Sequence, residues 1–260
     1  MTNFIKNYLK KRLSAYQRMK LRIFATNILS VFFSGNLNKL AQLCGTGKIG
    51  SHCYTQHYMT HFKKFRRKKI KLLEIGVGGY EDPNIGGHSL RMWKKYFPLG
   101  EIFAIDIYDK SALQERSIKI FQGSQVDKDF LDEVTKETGE FDIIIDDGSH
   151  INEHVITSFK LLFPKLKDGG VYAIEDLQTS YFPDCGGDSK NLNNPNTSMN
   201  FLKSLTDCLN HAEFLLPDYN KTYFDKKIIS IHFYHNLVFI HKGNNDETSN
   251  MVSNGSLINA

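Results

Sequence analysis

Cysteine is scarce in this chain of 260 residues, which has four cysteines and no C-x-x-C pair. So few cysteines make a disulfide framework implausible in a domain of this size. We therefore expect a reducing environment and predict a cytoplasmic protein.

Long apolar runs are also missing. Residues 23–33 are apolar, but this run is about half a membrane span, is interrupted by polar residues and lacks a small-residue cleavage site. We predict neither a signal peptide nor a transmembrane helix. Because 41% of the residues are hydrophobic, the chain can still bury the core of one large α/β domain with a helical extension.

The net charge of +5 does not come from a continuous basic face. Lysine and arginine concentrate in the first 22 residues and in residues 63–69. Local clusters of this kind favour contacts with small anions over recognition of a nucleic-acid duplex, so we predict no nucleic-acid partner.

Residues 1–44 are predicted to form a basic amphipathic helical extension. Apolar residues recur at roughly helical spacing through residues 4–33, with lysine and arginine between them. Such an arm would pack on its own domain or on a sister subunit of a homo-oligomer. A helix in weak contact with the inner membrane surface is the alternative. The glycine-rich residues 45–51 are interpreted as a linker.

Strands and helices alternate through residues 45–242. Strand patterns cover residues 70–75, 102–105, 143–146 and 171–174, and helical patterns cover residues 88–96, 128–138 and 155–166. This order predicts an α/β fold with a doubly wound, mostly parallel sheet of the Rossmann-like type. Residues 228–234 and 237–241 predict a C-terminal antiparallel hairpin, as in methyltransferases. Residues 243–260 are polar and aperiodic, and we expect them to be disordered.

A glycine turn follows the first predicted strand. Gly76 and Gly78 lack β-carbons that would keep a ligand from the backbone, but Glu81 stands where a dinucleotide fingerprint has its third glycine. Glu74 before the turn and Asp106 at the end of the second strand suit a methionine ammonium and ribose hydroxyls. Both are features of S-adenosylmethionine.

Carboxylates follow two further predicted strands. Asp146 and Asp147 end one of them, and Glu175 and Asp176 end the next. Because the carboxyl ends of parallel strands open onto one crevice, these side chains should converge with His150. The sequence therefore predicts an oxygen-rich metal site with a base beside it.

Over about residues 48–242 these motifs resemble the metal-dependent sugar O-methyltransferases that modify deoxysugars on macrolides. The resemblance implies a class I fold dependent on S-adenosylmethionine, and Mg²⁺ or another hard divalent cation. By matching positions, Asp147, Glu175 and Asp176 would bind the cation and His150 would be the general base. Where those enzymes have a large N-terminal domain, this chain has only the short basic arm. The motifs also resemble enzymes named for cephalosporin hydroxylation and rhamnose methylation, which leaves the acceptor open.

The resemblance also implies a cofactor site. Residues 52–58 resemble the segment that precedes the first strand in those enzymes and helps to cover the cofactor. The residues expected to bind the cofactor are Tyr54, Thr55, Glu74, Gly76, Gly78, Ser89, Asp106, Ser124, Gln125 and Asp146.

The predicted function is methyl transfer to a sugar hydroxyl, on a nucleotide-activated sugar or on a precursor of a surface or secondary-metabolite glycan, with polysaccharide biosynthesis as one setting. A hydroxyl has a pKa far above neutral, so a hard cation and a histidine base are an economical pair. A metal-independent methyltransferase for a phosphate- or nitrogen-containing acceptor is the main alternative. An Fe(II) hydroxylase would need two histidines and one carboxylate. A non-catalytic binding protein is the alternative from a different class.

Overall fold

The structure, a computed structural model, describes residue 26, residues 28–50 and residues 52–258. Most of the predicted arm, residues 1–25, lies outside this part of the chain. The first full helix, α1 (Leu37–Cys44), begins at Asn36, whose side chain accepts the Lys39 amide, and ends at Gly45 in the left-handed region.

A seven-stranded sheet forms the centre of the molecule, in the order β3-β2-β1-β4-β5-β7-β6. The first five strands pair in parallel, and β7 is antiparallel to both β5 and β6. The strand order reverses between β1 and β4, where a crevice opens at the carboxyl ends of an α/β sheet. The strands are β1 (Lys71–Ile75), β2 (Glu101–Asp106), β3 (Ile118–Gln122), β4 (Phe141–Asp146), β5 (Leu166–Ile174), β6 (Ile228–Tyr234) and β7 (Leu237–Lys242).

Helices cover both faces of the sheet, which explains why the central strands are almost wholly apolar. One buried cluster includes Tyr58, Trp93 and Phe239, and the other includes Phe159 and Tyr172. Further α-helices in the described residues are α2 (Thr55–Phe62), α3 (His88–Tyr96), α4 (Lys128–Thr138), α5 (Asn152–Leu162), α6 (Ser198–Leu209) and α7 (Tyr223–Lys227).

The predicted doubly wound sheet and its closing hairpin are confirmed, with the hairpin turn at His235 and Asn236. Strand β3 and helices α6 and α7 were not predicted. The α-helix predicted over residues 155–166 ends at Leu162, because Pro164 lacks the amide hydrogen that would continue the α-helical hydrogen bonds, and Phe163–Lys165 form a single 3-10 turn instead. Leu166 is buried as expected, but as the first residue of β5.

The C-terminal residues, which we expected to be disordered, contain regular secondary structure. Residues 243–258 include a hairpin of β8 (Val252–Ser253) and β9 (Ser256–Leu257). Asn254 and Gly255 both have positive φ, the backbone geometry of the tight turns that an Asn-Gly pair favours. A β-carbon on Gly255 would lie 2.4 Å from the backbone of Leu216, so this turn packs against residues outside the hairpin.

Two further features bear on the predicted domain boundary and on membranes. Leu37, Leu40 and Ala41 of α1 are fully buried in the same cluster as Trp93 of α3, so a boundary after residue 44 would cut through this packing. Among the residues that the structure describes, we find no helix with the length and apolarity to span a bilayer.

Candidate active site

A cavity of about 870 Å³ opens at the carboxyl ends of the central strands. Most of the predicted site residues line it. They are Gly76, Gly78, Ser89, Asp106, Ser124, Gln125, Asp147, His150, Glu175 and Asp176. The predicted residues Tyr54, Thr55, Glu74 and Asp146 are mostly buried behind this wall and support it through hydrogen bonds and ion pairs.

The two predicted glycines have different roles. Gly76 has a φ of +92°, and a β-carbon there would lie 2.1 Å from the backbone oxygen of Asp147, so Gly76 allows the ends of β1 and β4 to approach each other. Gly78 has a φ of +79°, and a β-carbon there would meet no atom within 4 Å. Of the two, Gly78 therefore leaves open space where a ligand could approach the backbone.

Asp106 organises the glycine turn from the end of β2. One of its oxygens accepts the Val77 amide at 2.8 Å, and the other accepts the Tyr108 amide at 2.9 Å. Below the turn, the Ser89 hydroxyl donates to Glu74 Oε2 at 3.0 Å. Asp106 thus positions the turn, and Glu74 links β1 to helix α3.

A lysine that the sequence analysis placed in a linker lies at the centre of the site. Lys48 Nζ is 2.7 Å from Asp147 Oδ2, 2.5 Å from Glu175 Oε1 and 3.1 Å from Glu74 Oε1. The amides of Tyr54 and Thr55 donate to the Lys48 carbonyl and hold its backbone. Burial lowers the pKa of Lys48, but the three carboxylates outweigh burial and keep that pKa well above its usual value.

Glu175 turns away from the predicted metal site towards Lys48. It is 3% exposed and accepts a hydrogen bond from the Tyr58 hydroxyl as well as from Lys48. Burial, followed by the nearby Asp147 charge, raises the pKa of Glu175 against the opposing effect of Lys48. The group that the structure brings together is instead Asp147, His150 and Asp176, with potential ligand atoms within 4.8 Å of one another.

His150 lies between the two aspartates of this group. Its Nε2 is 3.7 Å from Asp176 Oδ2 and 3.9 Å from Asp147 Oδ1. His150 and Asp176 have φ values of +56° and +54°, a region that costs energy for residues other than glycine and is enriched at functional sites. Tyr54 fixes Asp176 by donating its hydroxyl to Oδ1 at 2.8 Å.

Asp146 supports the turn that carries His150. The Ser158 hydroxyl donates to Asp146 Oδ2 at 2.7 Å, and the Gln125 amide donates to Oδ1 at 3.3 Å. Gln125 in turn accepts the Ser149 amide at 2.9 Å. Burial raises the pKa of Asp146 to about 6, partly opposed by the Ser158 hydrogen bond.

Sequence reasoning missed Lys48 and Tyr58. A lysine in a glycine-rich segment is ordinarily solvated, and a tyrosine in an aromatic helix ordinarily packs in the core. Two of the Lys48 partners lie 99 and 127 residues away along the chain, so local spacing carried no signal for the cluster.

No protein-family model matches the chain. It is 48% identical over 215 residues to mycinamicin VI 2''-O-methyltransferase of Micromonospora griseorubida, covering 82% of this chain and 54% of that protein. It is 45% identical over 204 residues to 8-demethyl-8-alpha-L-rhamnosyl tetracenomycin-C 2'-O-methyltransferase of Streptomyces olivaceus, covering 78% of this chain and 53% of that protein.

The fold is also similar to a solved structure of MycE methyltransferase from the mycinamycin biosynthetic pathway in complex with Mg, SAH and mycinamycin VI. The TM-score is 0.79 at 48% identity, over 82% of this chain and 55% of that one. The chain thus spans about half the length of these relatives. The chain therefore has the class I S-adenosylmethionine-dependent methyltransferase fold, and over the matched half of their length it is homologous to O-methyltransferases that act on the sugars of mycinamicin and tetracenomycin.

Proposed function

We propose that this chain transfers a methyl group from S-adenosylmethionine to a sugar hydroxyl, assisted by Mg²⁺, with His150 as general base. The observation that carries the proposal is the convergence of Asp147, His150 and Asp176 at the mouth of the crevice. These residues lie on one cavity with Gly78, where the glycine turn leaves room for a ligand.

The charges of the site suit a cationic cofactor. Asp147, Glu175 and Asp176 line the cavity and Glu74 is buried next to it. Lys48 is the one lysine or arginine ion-paired with these carboxylates in the described part of the chain. A surplus of carboxylates attracts a sulfonium or an ammonium group. Asp106, at the end of the neighbouring strand, is placed to accept ribose hydroxyls as the fold family requires.

The donor set also suits a hard divalent cation, which prefers carboxylate oxygens. The geometry favours Asp147 and Asp176 as its ligands. Glu175 is proposed as the third ligand by family resemblance, while Lys48 and Tyr58 bind its carboxylate in this structure.

Bound cofactor would supply the methyl group, and a bound cation would lower the pKa of a ligated hydroxyl. His150 Nε2 takes the proton of the acceptor oxygen as that oxygen forms its bond to the methyl carbon and the carbon–sulfur bond breaks. Asp147 and Asp176 flank the imidazole and stabilise its positive charge. Lys48 positions the carboxylates, which contributes through orientation.

For the acceptor, we propose a sugar already attached to an aglycone. Two relatives support this, because one is named for a rhamnosyl tetracenomycin and the other for mycinamicin VI. A nucleotide-activated sugar and a polysaccharide precursor are the competing acceptors. The cytoplasmic location, the homo-oligomer and a weak membrane contact of the arm stay predictions.

The test incubates the protein with methyl-labelled S-adenosylmethionine and a panel of glycosylated polyketides, nucleotide sugars and small phosphate or amine acceptors. We expect labelling of a sugar hydroxyl that excess chelator abolishes and Mg²⁺ restores. Asp176→Asn should behave as the chelated enzyme does, whereas Asp207→Asn on the exposed surface of α6 is the matched control and should remain active. Full activity of Asp176→Asn, or labelling of a phosphate or amine alone, would contradict the proposal.

A further inference from the structure

Three histidines meet on the other side of helix α2, outside the cavity. His61 comes from α2, His232 from β6 and His241 from β7, and one ring nitrogen from each lies within 4.8 Å of the others. None of the three lines the crevice with Asp147 and His150. The proposed methyl transfer leaves this cluster without a role.

The register of the closing hairpin brings these side chains together. Ser230 pairs with His241 and His232 pairs with Phe239, so His232 and His241 lie on the same face of the two strands. Helix α2 packs on that face, where the buried His61 ring stacks on Phe239 at 4.1 Å between centroids. Strand pairing and helix packing therefore converge three imidazoles on one point.

We propose that His61, His232 and His241 form a second metal site, for a borderline transition metal such as Zn²⁺. Imidazole is a preferred ligand of Zn²⁺, and three histidines with an open fourth position are an established coordination pattern for this ion. A hard cation such as Mg²⁺ prefers oxygen ligands and would not compete for these nitrogens. The two sites thus differ in ligand chemistry as well as in position.

The two inner histidines need only a small adjustment to accept the ion. His61 Nδ1 and His241 Nε2 are 2.9 Å apart. Zn–N bonds of about 2.0–2.1 Å in a tetrahedral site separate the ligand nitrogens by about 3.3 Å. An opening of a few tenths of an ångström between these two rings would therefore be enough for this pair. The His232 ring, whose ligand nitrogen lies within 4.8 Å of the other two, is exposed on β6 and would turn towards the ion as the third ligand.

Tyr234 supplies the outer hydrogen bond that a metal-binding histidine ordinarily has. Its hydroxyl oxygen is 3.0 Å from His61 Nε2, the ring nitrogen opposite the proposed ligand atom Nδ1. When that oxygen accepts a hydrogen bond from Nε2–H, the lone pair of His61 stays on Nδ1 and faces the metal.

The protonation states are compatible with metal binding. Burial and the neighbouring histidines lower the pKa of His61 to about 4, and burial and His61 lower that of His241 to about 3. Both rings are therefore neutral at pH 7. When the metal binds, the proton in the hydrogen bond between His61 and His241 moves to a ring nitrogen that faces away from the ion. No net proton is therefore released.

The site would tie α2 to the hairpin. Tyr54, at the start of α2, donates its hydroxyl to Asp176 Oδ1 at 2.8 Å and lies 3.2 Å from the carbonyl oxygen of Asn236 in the hairpin turn. Because the three ligands converge only in the folded protein, metal binding should raise the melting temperature further as the free Zn²⁺ concentration increases above the dissociation constant.

The proposal is tested by titrating Zn²⁺ into untagged full-length protein kept in excess Mg²⁺, with calorimetry and thermal melting as readouts. We expect one equivalent of Zn²⁺ to bind and the melting temperature to rise. His232→Ala and His241→Ala should remove this binding, and Tyr234→Phe should weaken it by about 10- to 100-fold, as the loss of an outer hydrogen bond does. Because His232 is exposed, its replacement leaves the core intact.

Two control variants separate the proposed site from other histidines. His235→Ala in the exposed hairpin turn and His150→Ala in the crevice should each bind Zn²⁺ as the parent protein does. No saturable Zn²⁺ binding by the parent protein, unchanged binding by His232→Ala, or loss of binding in His150→Ala would each overturn the proposal.

Discussion

At the scale of single residues, His150 is held where a base is needed. Asp147 and Asp176 flank its Nε2, and the hydrogen bond from the Ser149 amide to Gln125 fixes the preceding residue. We expect His150→Ala to lower kcat by about 10²- to 10⁴-fold, because a general base acts in the transition state. The affinity for S-adenosylhomocysteine, measured by calorimetry, should remain within about twofold of the parent value.

His154, one helical turn further along, provides the matched control for this prediction. Its Nδ1 is 2.9 Å from the Ser149 hydroxyl oxygen, and its ring also lines the cavity. We expect His154→Ala to change kcat by less than about tenfold, well below the range for a general base. Equal losses in the two variants would refute a specific role for His150.

Asp146 should make the stability of the protein depend on pH. Its pKa is raised to about 6, mainly by burial, against an ordinary value of about 3.9 in an unfolded chain. The folded state therefore binds this proton more tightly, and the stabilisation is fully present below about pH 3.9 and lost as pH rises through about 6. The shift corresponds to at most about 3 kcal/mol.

We therefore expect Asp146→Asn to gain free energy of unfolding relative to the parent protein as pH rises from 4 to 7, because the amide does not ionise. Urea denaturation at several pH values measures this difference. Asp207→Asn on the surface of α6 is the control and should show little pH-dependent gain. A difference between Asp146→Asn and the parent that stays constant over this range would argue against a raised pKa.

At the scale of elements, the two glycines of the turn after β1 have different roles. Gly76 permits close packing, and Gly78 leaves space for a ligand. Gly76→Ala forces a β-carbon onto the Asp147 backbone, so we expect a loss of several kcal/mol in the free energy of unfolding, as in other strained or overpacked sites. Gly78→Ala meets open space but keeps a positive φ, and should cost only about 1 kcal/mol.

The affinity for the cofactor tests the role of Gly78 separately from its effect on stability. Gly78→Ala places a methyl group in the open space of the turn, and we expect it to weaken binding of S-adenosylhomocysteine while the protein stays folded. Denaturation curves and calorimetry on the same preparations measure both effects. Unchanged affinity in Gly78→Ala would show that the cofactor does not approach this part of the backbone.

At the scale of the whole molecule, helix α1 belongs to the domain that carries the site. Leu40 is fully buried, whereas Leu29 is 42% exposed in the preceding segment. Leu40→Ala should lower the free energy of unfolding by about 2–5 kcal/mol, the range for a large buried side chain, while Leu29→Ala should lie within about 0.5 kcal/mol. Urea denaturation of both variants tests the prediction, and equal stabilities would favour the predicted boundary after residue 44.

Periodicity predicted most of the sheet because the central strands are apolar throughout and are separated by helices of ordinary length. β3 escaped prediction, as its Lys119 and Gln122 are exposed and interrupt the apolar pattern. The break at Pro164 was readable from the sequence, but the apolar stripe of α5 continues to Leu166 and hid the change from helix to strand.

The sequence by itself determined the fold class and the convergence of Asp147, His150 and Asp176, because parallel strands must end at the same edge of a sheet. Only the tertiary structure decided which of the adjacent residues Glu175 and Asp176 faces His150, since neighbouring side chains at a strand end point apart and packing selects between them. The position of Lys48 was likewise decided by tertiary structure. A buried ammonium needs compensating partners, and for Lys48 these are carboxylates that distant parts of the chain supply.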